Sequence, residues 1–128
     1  MKKIFLILTI LCTFKMYSQL SLSCNYKELR YWSETKETFE DGKVWEENSL
    51  FEINKNQTMI THTTDEGSST YYIKSSSYED DIMTATFQVV SDNGNKYVMF
   101  FDAKNRLIKV IGADEILIIF YVKSTFKL

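Results

Sequence analysis

The stretch "MTATFQVVSDNGNKYVMFFD", Met83 to Asp102, has the pattern of two β-strands joined by a tight turn. Its first half alternates apolar with polar residues, as a strand with one buried face does. The apolar side consists of Met83, Ala85, Phe87 and Val89. Asn93-Gly94 follows, and this pair predicts a hairpin because it tolerates the positive φ angles of a type I′ turn. The stretch therefore predicts antiparallel sheet.

Clusters of turn-forming residues recur through the rest of the chain, about every 8 to 12 residues, which is typical of all-β sandwiches and barrels. They are NKNQ (54–57), DEGSS (65–69), YEDD (78–81), DAKN (102–105) and GADE (112–115). EDGK (40–43) adds an Asp-Gly pair, a further signal for a tight turn. No stretch has a 3.6-residue period long enough for a major helix. The fold class is therefore predicted to be all-β, as an antiparallel meander.

Nine segments are predicted as strands, all in a single domain of residues 19–128. They are Leu29–Thr35, Lys43–Glu47, Leu50–Asn54, Thr58–Thr63, Thr70–Ser75, Met83–Val90, Lys96–Asp102, Arg106–Ile111 and Glu115–Lys123. The second and third become one long bent strand if the chain is continuous from Lys43 to Asn54. Eight or nine such strands fit a small closed barrel or a two-sheet sandwich, and spacing does not distinguish them.

The last predicted strand, "EILIIFYVK" (Glu115–Lys123), contains an unbroken apolar run, Ile116 to Val122. The run is too short for a membrane helix, which needs about 20 residues, so no transmembrane span is predicted after signal removal. One face of this strand fills the core. The other face carries Leu117, Ile119 and Tyr121, and it is covered either by the chain itself or by a partner, such as a second copy in a homodimer.

The first residues, "MKKIFLILTILCTFKMYSQ", place two lysines before a short apolar run and then small polar residues. This order predicts a secretory signal peptide over residues 1–18 of bacterial type, and hence a secreted or periplasmic protein. Cys12 would leave with the signal, so the mature chain keeps Cys24 alone and forms no internal disulfide. Cys24 is either a thiol, free or paired between molecules, or a candidate lipid-attachment site.

The charge balance argues against a nucleic-acid partner. The chain has 15 basic and 17 acidic side chains, for a formal net charge of −2. Removal of residues 1–18 would take away three lysines and no acids, which makes the mature protein more acidic. Nucleic-acid binding needs a basic patch or stripe, and the sequence has none.

An early Tyr31-Trp32 pair, the strand-turn-strand pattern "FEINKNQTMI" (51–60) and a meander to the C-terminus resemble small secreted lipocalin-like barrels. The resemblance implies a non-enzymatic protein that binds a small apolar or amphipathic molecule in a cavity. That cavity would be lined by Trp32, Phe51, Met59, Phe87 and Met99. Aromatic residues in such numbers also build the core of any small β domain, so both interpretations stay open.

Residues suited to catalysis are few, and no enzyme activity, catalytic residue, metal site or cofactor is predicted. His62 is the only histidine, whereas a metal site normally needs three or four ligands. Pairing of Cys24 with His62 would require an ordered thiol close to the mature N-terminus. The alternative function is a protein-interaction module, such as an inhibitor or an envelope-assembly subunit, that uses the C-terminal strand.

Overall fold

The computed structural model describes residues 20–114 and 116–127, which form eight β-strands and no helix. The strands are β1 (Leu20–Ser33), β2 (Thr38–Ile53), β3 (Met59–Thr64), β4 (Gly67–Glu79), β5 (Thr84–Ser91), β6 (Lys96–Asp102), β7 (Leu107–Gly112) and β8 (Ile116–Lys127). Within these described ranges no helix has the length and apolar character needed to cross a membrane. The predicted signal peptide, residues 1–18, lies outside the described residues.

Each strand pairs antiparallel with the next, and β8 pairs antiparallel with β1, so the sheet closes into a barrel. The prediction of an all-β antiparallel meander is confirmed, and the barrel is the correct choice over the sandwich. The nine predicted segments become eight strands because β2 runs unbroken from Thr38 to Ile53. The first strand begins at Leu20 rather than Leu29, since it pairs from that residue with both β2 and β8.

The interpretation of Asp41-Gly42 as a turn was wrong. Gly42 lies inside β2, at a register shift opposite Leu29 and Arg30. A Cβ atom on Gly42 would stand 1.9 Å from the carbonyl oxygen of Leu29, so glycine is needed there for close backbone approach. The β1–β2 turn instead occupies residues 34–37, where Glu37 takes the left-handed conformation with φ of 53°.

The hairpin at Asn93-Gly94 is confirmed, although its turn is not type I′. Gly94 has φ of 85°, while Asn93 is not among the residues with positive φ. Ser91 N–H donates to the Asn95 carbonyl at 2.8 Å, and Gly94 N–H donates to the Ser91 carbonyl at 2.9 Å. This is the three-residue loop that ends in a left-handed glycine. Met83, predicted as the start of β5, lies in the preceding turn with φ of 49°.

The middle of the barrel is filled by side chains. Phe51, Ile60, Met99 and Ile108 are completely buried there. The ring of Phe51 lies 4.8 Å from that of Phe120, and the ring of Phe87 lies 5.3 Å from that of Phe101, both edge to face. An eight-stranded barrel is just wide enough for such a core or for one small ligand. Space for a ligand is therefore confined to the ends of the barrel and to its outer wall.

Candidate functional site

The barrel has two different ends, which the strand order defines. The lower end carries Leu20, the first described residue of β1, and the turns at residues 54–58, 80–83 and 103–106. The upper end carries the turns at residues 34–37, 65–66 and 92–95. Because the completely buried residues occupy the middle, each end is a separate chemical environment.

A cavity of about 510 Å³ opens at the lower end. Its wall is mostly apolar and comes from inward-facing residues of β1, β5, β6 and β8. These residues are Leu20, Leu22, Ala85, Phe101 and Val122. Small Ala85 leaves room where its strand neighbour Phe87 fills the core. On β8, Val122 likewise follows the bulkier Phe120, so these two strands leave the space that the cavity occupies.

Polar groups surround the mouth of this lower cavity: Tyr78, Asp102 and Arg106. The Arg106 guanidinium donates to the Lys123 carbonyl at 2.9 Å, which fixes it against β8. Burial acts to raise the pKa of Asp102, but hydrogen bonds from Asn105 and the charge of Lys109 hold it below the ordinary value. Asp102 is thus ionised and bonded within its own turn, and the mouth offers a few polar groups around an apolar interior.

At the upper end a charged group projects into the barrel beside two aromatic rings. The Lys27 ammonium lies 5.3 Å from the Trp45 ring centre and 5.8 Å from that of Phe120. The same ammonium lies 3.7 Å from a carboxylate oxygen of Glu47, to which the Trp45 indole N–H donates at 3.2 Å. These contacts satisfy the charge of Lys27 within the barrel wall.

His62 lies below this charged group, with its imidazole stacked on Phe51 at 4.2 Å between ring centres. Burial, followed by the positive charge of Lys27, lowers the pKa of His62 to about 4, against an opposing effect of Glu47. Its Nε2 atom is buried and has no hydrogen-bond partner among the described residues. The imidazole also borders a polar cavity of about 320 Å³ beside the β3–β4 turn. At neutral pH His62 is therefore uncharged.

The thiol of Cys24 is buried in the core, with 1% of the residue exposed. Burial raises its pKa to about 12, although the neighbouring Ser49 opposes the shift. A thiol with that pKa stays protonated at neutral pH, and the nucleophile in cysteine chemistry is the thiolate. Cys24 is therefore not an activated nucleophile at neutral pH.

The outer wall carries a groove of about 440 Å³ across β5, β6 and β7. Gln88, Val98 and Ile111 are successive cross-strand partners on that wall and form part of its lining. Exposed Lys74 and Lys96 also border the groove. This groove is open along the outer face of the sheet, whereas the lower cavity lies inside the barrel.

The predicted interaction residues lie on the outer face of β8, where it pairs with β1. Leu117 and Ile119 are 7% and 4% exposed in the single chain, so both are buried. Tyr121 donates its hydroxyl to Glu28, and the Arg30 guanidinium donates to the other Glu28 oxygen. The hydrogen bond from Tyr121 has the largest effect and that from Arg30 adds to it, so the pKa of Glu28 is held below its ordinary value despite its burial.

The predicted ligand-lining residues do not form one cavity. Phe51, Phe87 and Met99 meet in the packed core. Trp32 is at the tip of the β1–β2 hairpin, with its ring 5.2 Å from that of Phe39. Met59 pairs with exposed Tyr72 on the outer side of β3, since its neighbour Ile60 points inward. The lower cavity is instead lined in part by Leu20 and Leu22. The sequence signal for these residues was the alternation in "LSLS" (20–23), which precedes the first predicted strand.

Within the part of the chain that the structure describes, no three His, Cys, Asp or Glu side chains are grouped so as to hold a metal ion. Comparisons with protein-family models, curated proteins and solved structures found no match. The closed antiparallel barrel of eight strands nevertheless has the general shape of lipocalins. What the protein binds is therefore inferred from its cavities and its surface.

Proposed function

We propose that this protein is a non-enzymatic binder of a small apolar or amphipathic molecule, which it holds in the lower cavity. The observation that carries the proposal is the apolar chamber of about 510 Å³ inside the barrel wall. Small-molecule sites typically measure about 300 to 1,000 Å³ and combine apolar walls with a few polar groups. The lower cavity has that size and that composition.

Its position favours the lower cavity over the outer groove. Inward-facing side chains of several strands surround a molecule there and remove its apolar surface from water, which contributes about 25 cal/mol per Å². The outer groove is bordered by exposed lysines and lies along a single sheet. A ligand in the groove would keep more of its surface in water.

The side chains most suited to catalysis support a binding role rather than chemistry. Cys24 is a buried, protonated thiol, and His62 is an uncharged imidazole with a buried Nε2. Neither lines the lower cavity. The signal-like sequence at residues 1–18 supports a secreted or periplasmic location, where a carrier would meet its ligand outside the cytoplasm.

Native mass spectrometry of residues 19–128, secreted from a bacterial host and never denatured, tests the proposal directly. We expect a monomer with an additional mass of a few hundred daltons, which would identify the ligand class. If the preparation carries no ligand, the amphipathic dye 1-anilinonaphthalene-8-sulfonate serves as the probe, and we expect it to bind the folded protein at one site.

Ala85→Trp should abolish dye binding, because the indole would occupy the lower cavity. Ala113→Trp is the matched control, since it adds the same group beside the upper end and should leave dye binding unchanged. Circular dichroism establishes that both variants are folded, and Ala85→Leu replaces Ala85→Trp if the larger side chain prevents folding. Equal dye binding by the folded cavity variant and the control would overturn the proposed site.

A further inference from the structure

Strand β2 has a neighbour on both sides for only part of its length. It pairs with β1 from Thr38 to Ile53, but with β3 only from Ser49 to Ile53. Over residues 38–48, no strand among the described residues occupies its second side. The backbone N–H and C=O groups on that side are therefore open to another chain. We call residues 38–48 the β2 edge.

The β2 edge is long enough to bind an extended peptide. At about 3.3 Å per residue it measures about 36 Å, well beyond the length of an average strand. A register shift at Gly42 and a second one between Glu46 and Ser49 leave two regular runs, residues 38–41 and 43–46. Val44, 56% exposed, is on the outer face, and Trp45 is on the inner face beside Lys27. An added strand would thus gain backbone hydrogen bonds and an apolar contact on each face.

The charge of the β2 edge indicates which chain it would take. Its sequence has four acids, Glu40, Asp41, Glu46 and Glu47, against a single Lys43. Glu47 is already paired with Lys27, and Glu40 forms an exposed ion pair with Lys36 at 2.9 Å. Glu40 and Glu46 are exposed at the surface. An extended segment rich in lysine or arginine would place opposite charges across the new pair, which favours cross-strand association.

The same charges disfavour pairing with a second copy. If two β2 edges paired antiparallel about a two-fold axis at Lys43, Glu40 of each copy would lie opposite Glu46 of the other. Like charges directly opposite each other destabilise a strand pair, and the two lysines would also face each other. Edge charges of this kind are a common device against self-association. In this register the acids therefore disfavour a second copy, whereas they favour a basic segment.

We propose that the β2 edge binds an extended basic segment of a partner protein, which adds to the barrel wall as an antiparallel or parallel strand beside β2. The lower cavity is at the opposite end of the barrel, so this surface acts independently of ligand binding. The proposed function and this docking surface can be tested separately.

Amide NMR on ¹⁵N-labelled residues 19–128 tests the β2 edge with synthetic peptides of about ten residues. The probe peptide alternates lysine and valine, and a second peptide of the same sequence carries backbone N-methyl groups on alternate residues. We expect the first peptide to shift the amide signals of residues 38–48 and to slow their hydrogen exchange. The N-methylated peptide should not do so, since it keeps the charge but loses backbone donors. Equal binding of both peptides, or shifts confined to other residues, would overturn strand addition.

The variant Glu40→Lys with Glu46→Lys should weaken binding of the lysine peptide by at least about tenfold, because it replaces attraction with repulsion. Glu66→Lys with Glu79→Lys is the matched control, since it changes the net charge equally at exposed positions off the β2 edge. We expect the control to stay within about twofold of the original affinity, as sites without shared partners act independently. Equal weakening by both pairs would show that net charge alone attracts the peptide and would refute the docking surface.

Discussion

His62 is a histidine held in its uncharged form by its surroundings. Its ring is stacked between aromatic groups, with Phe51 parallel at 4.2 Å and Phe120 edge-on at 4.9 Å. Lys27 adds a repelling charge from β1, while Glu47 on β2 partly offsets it. Protonation would therefore place a second cation among rings and beside an ammonium group. His62 therefore lowers the free energy of unfolding by an amount that depends on pH.

We predict that stability falls as the pH is lowered from 7 to 5. In the unfolded chain His62 takes up a proton near its ordinary pKa of 6.5, whereas in the folded chain it does so only near 4. Between these values the unfolded state binds more protons, so the free energy of unfolding falls as the pH falls, by about 2 kcal/mol between pH 7 and pH 5. Urea denaturation followed by fluorescence at pH 7 and pH 5 measures the change.

His62→Phe should remove most of this pH dependence and keep the stacking on Phe51. Glu28 does not confuse the test, because its lowered pKa acts only as the pH falls below its ordinary value of 4.5. If the variant loses stability between pH 7 and 5 as the original protein does, His62 is not the group that titrates.

At this scale the sequence predicted some burial and missed the rest. Alternation identified Phe87 and Val89 as an inward-facing pair, and both are buried. It could not foresee that Lys27 points into the barrel. Register shifts in β1 between Cys24 and Tyr26 change which residues face inward, and an irregularity of that kind leaves no mark in a two-residue period.

Among the elements, the β1–β2 hairpin shows how one glycine supports a long irregular pair. The backbone of β2 at Gly42 approaches the Leu29 carbonyl so closely that no Cβ atom fits. Gly42 has no positive φ, so its role is steric. The register shift increases the local twist of the strand pair, so the strand β2 changes direction at Gly42.

We predict that Gly42→Ala destabilises the protein by about 1 to 3 kcal/mol, because the new methyl group must push two backbones apart. Lys43→Ala is the control in the same strand, because it removes an exposed side chain and creates no new contact. Urea denaturation measures both changes as shifts of the midpoint, at a constant slope of the free energy of unfolding against urea concentration. A Gly42→Ala midpoint equal to that of the control would mean that the bulge adapts without strain.

Asp41-Gly42 also explains why a turn was predicted where a strand continues. Glycine serves a turn by adopting positive φ, and it serves a bulge by lacking a side chain, and the sequence does not distinguish these uses. Among the described residues other than glycine, positive φ is adopted by Glu37, Gln57, Met83 and Arg106, which have no special turn propensity at all. Turn locations were therefore more predictable than turn types.

For the whole molecule, the decisive pairing joins the two ends of the described chain. β1 and β8 are about a hundred residues apart in sequence and close the barrel from Leu20 to Tyr31. Local spacing cannot reveal such a pair, so the sequence left barrel and sandwich undecided. Ligand space was equally hidden, because it depends on how far side chains from β1, β5, β6 and β8 leave the lower end unfilled.

We predict that refolding of residues 19–128 occurs in milliseconds to seconds, as expected for β proteins dominated by distant contacts. The chain contains no proline, so the slow phase of tens to hundreds of seconds that prolyl isomerisation causes should be missing. Stopped-flow tryptophan fluorescence, to which Trp32 and Trp45 both contribute, reports the reaction. A dominant phase of minutes, unaffected by protein concentration, would contradict this expectation.

Because Cys24 is buried, the reactivity of its thiol reports how often the barrel opens. The thiol is on β1 between its two neighbours, opposite Ser49 on β2 and Val122 on β8. A thiol-specific reagent can reach it only after one of these seams separates. In the native state its labelling rate therefore measures how often β1 separates from β2 or from β8, without any engineered reporter.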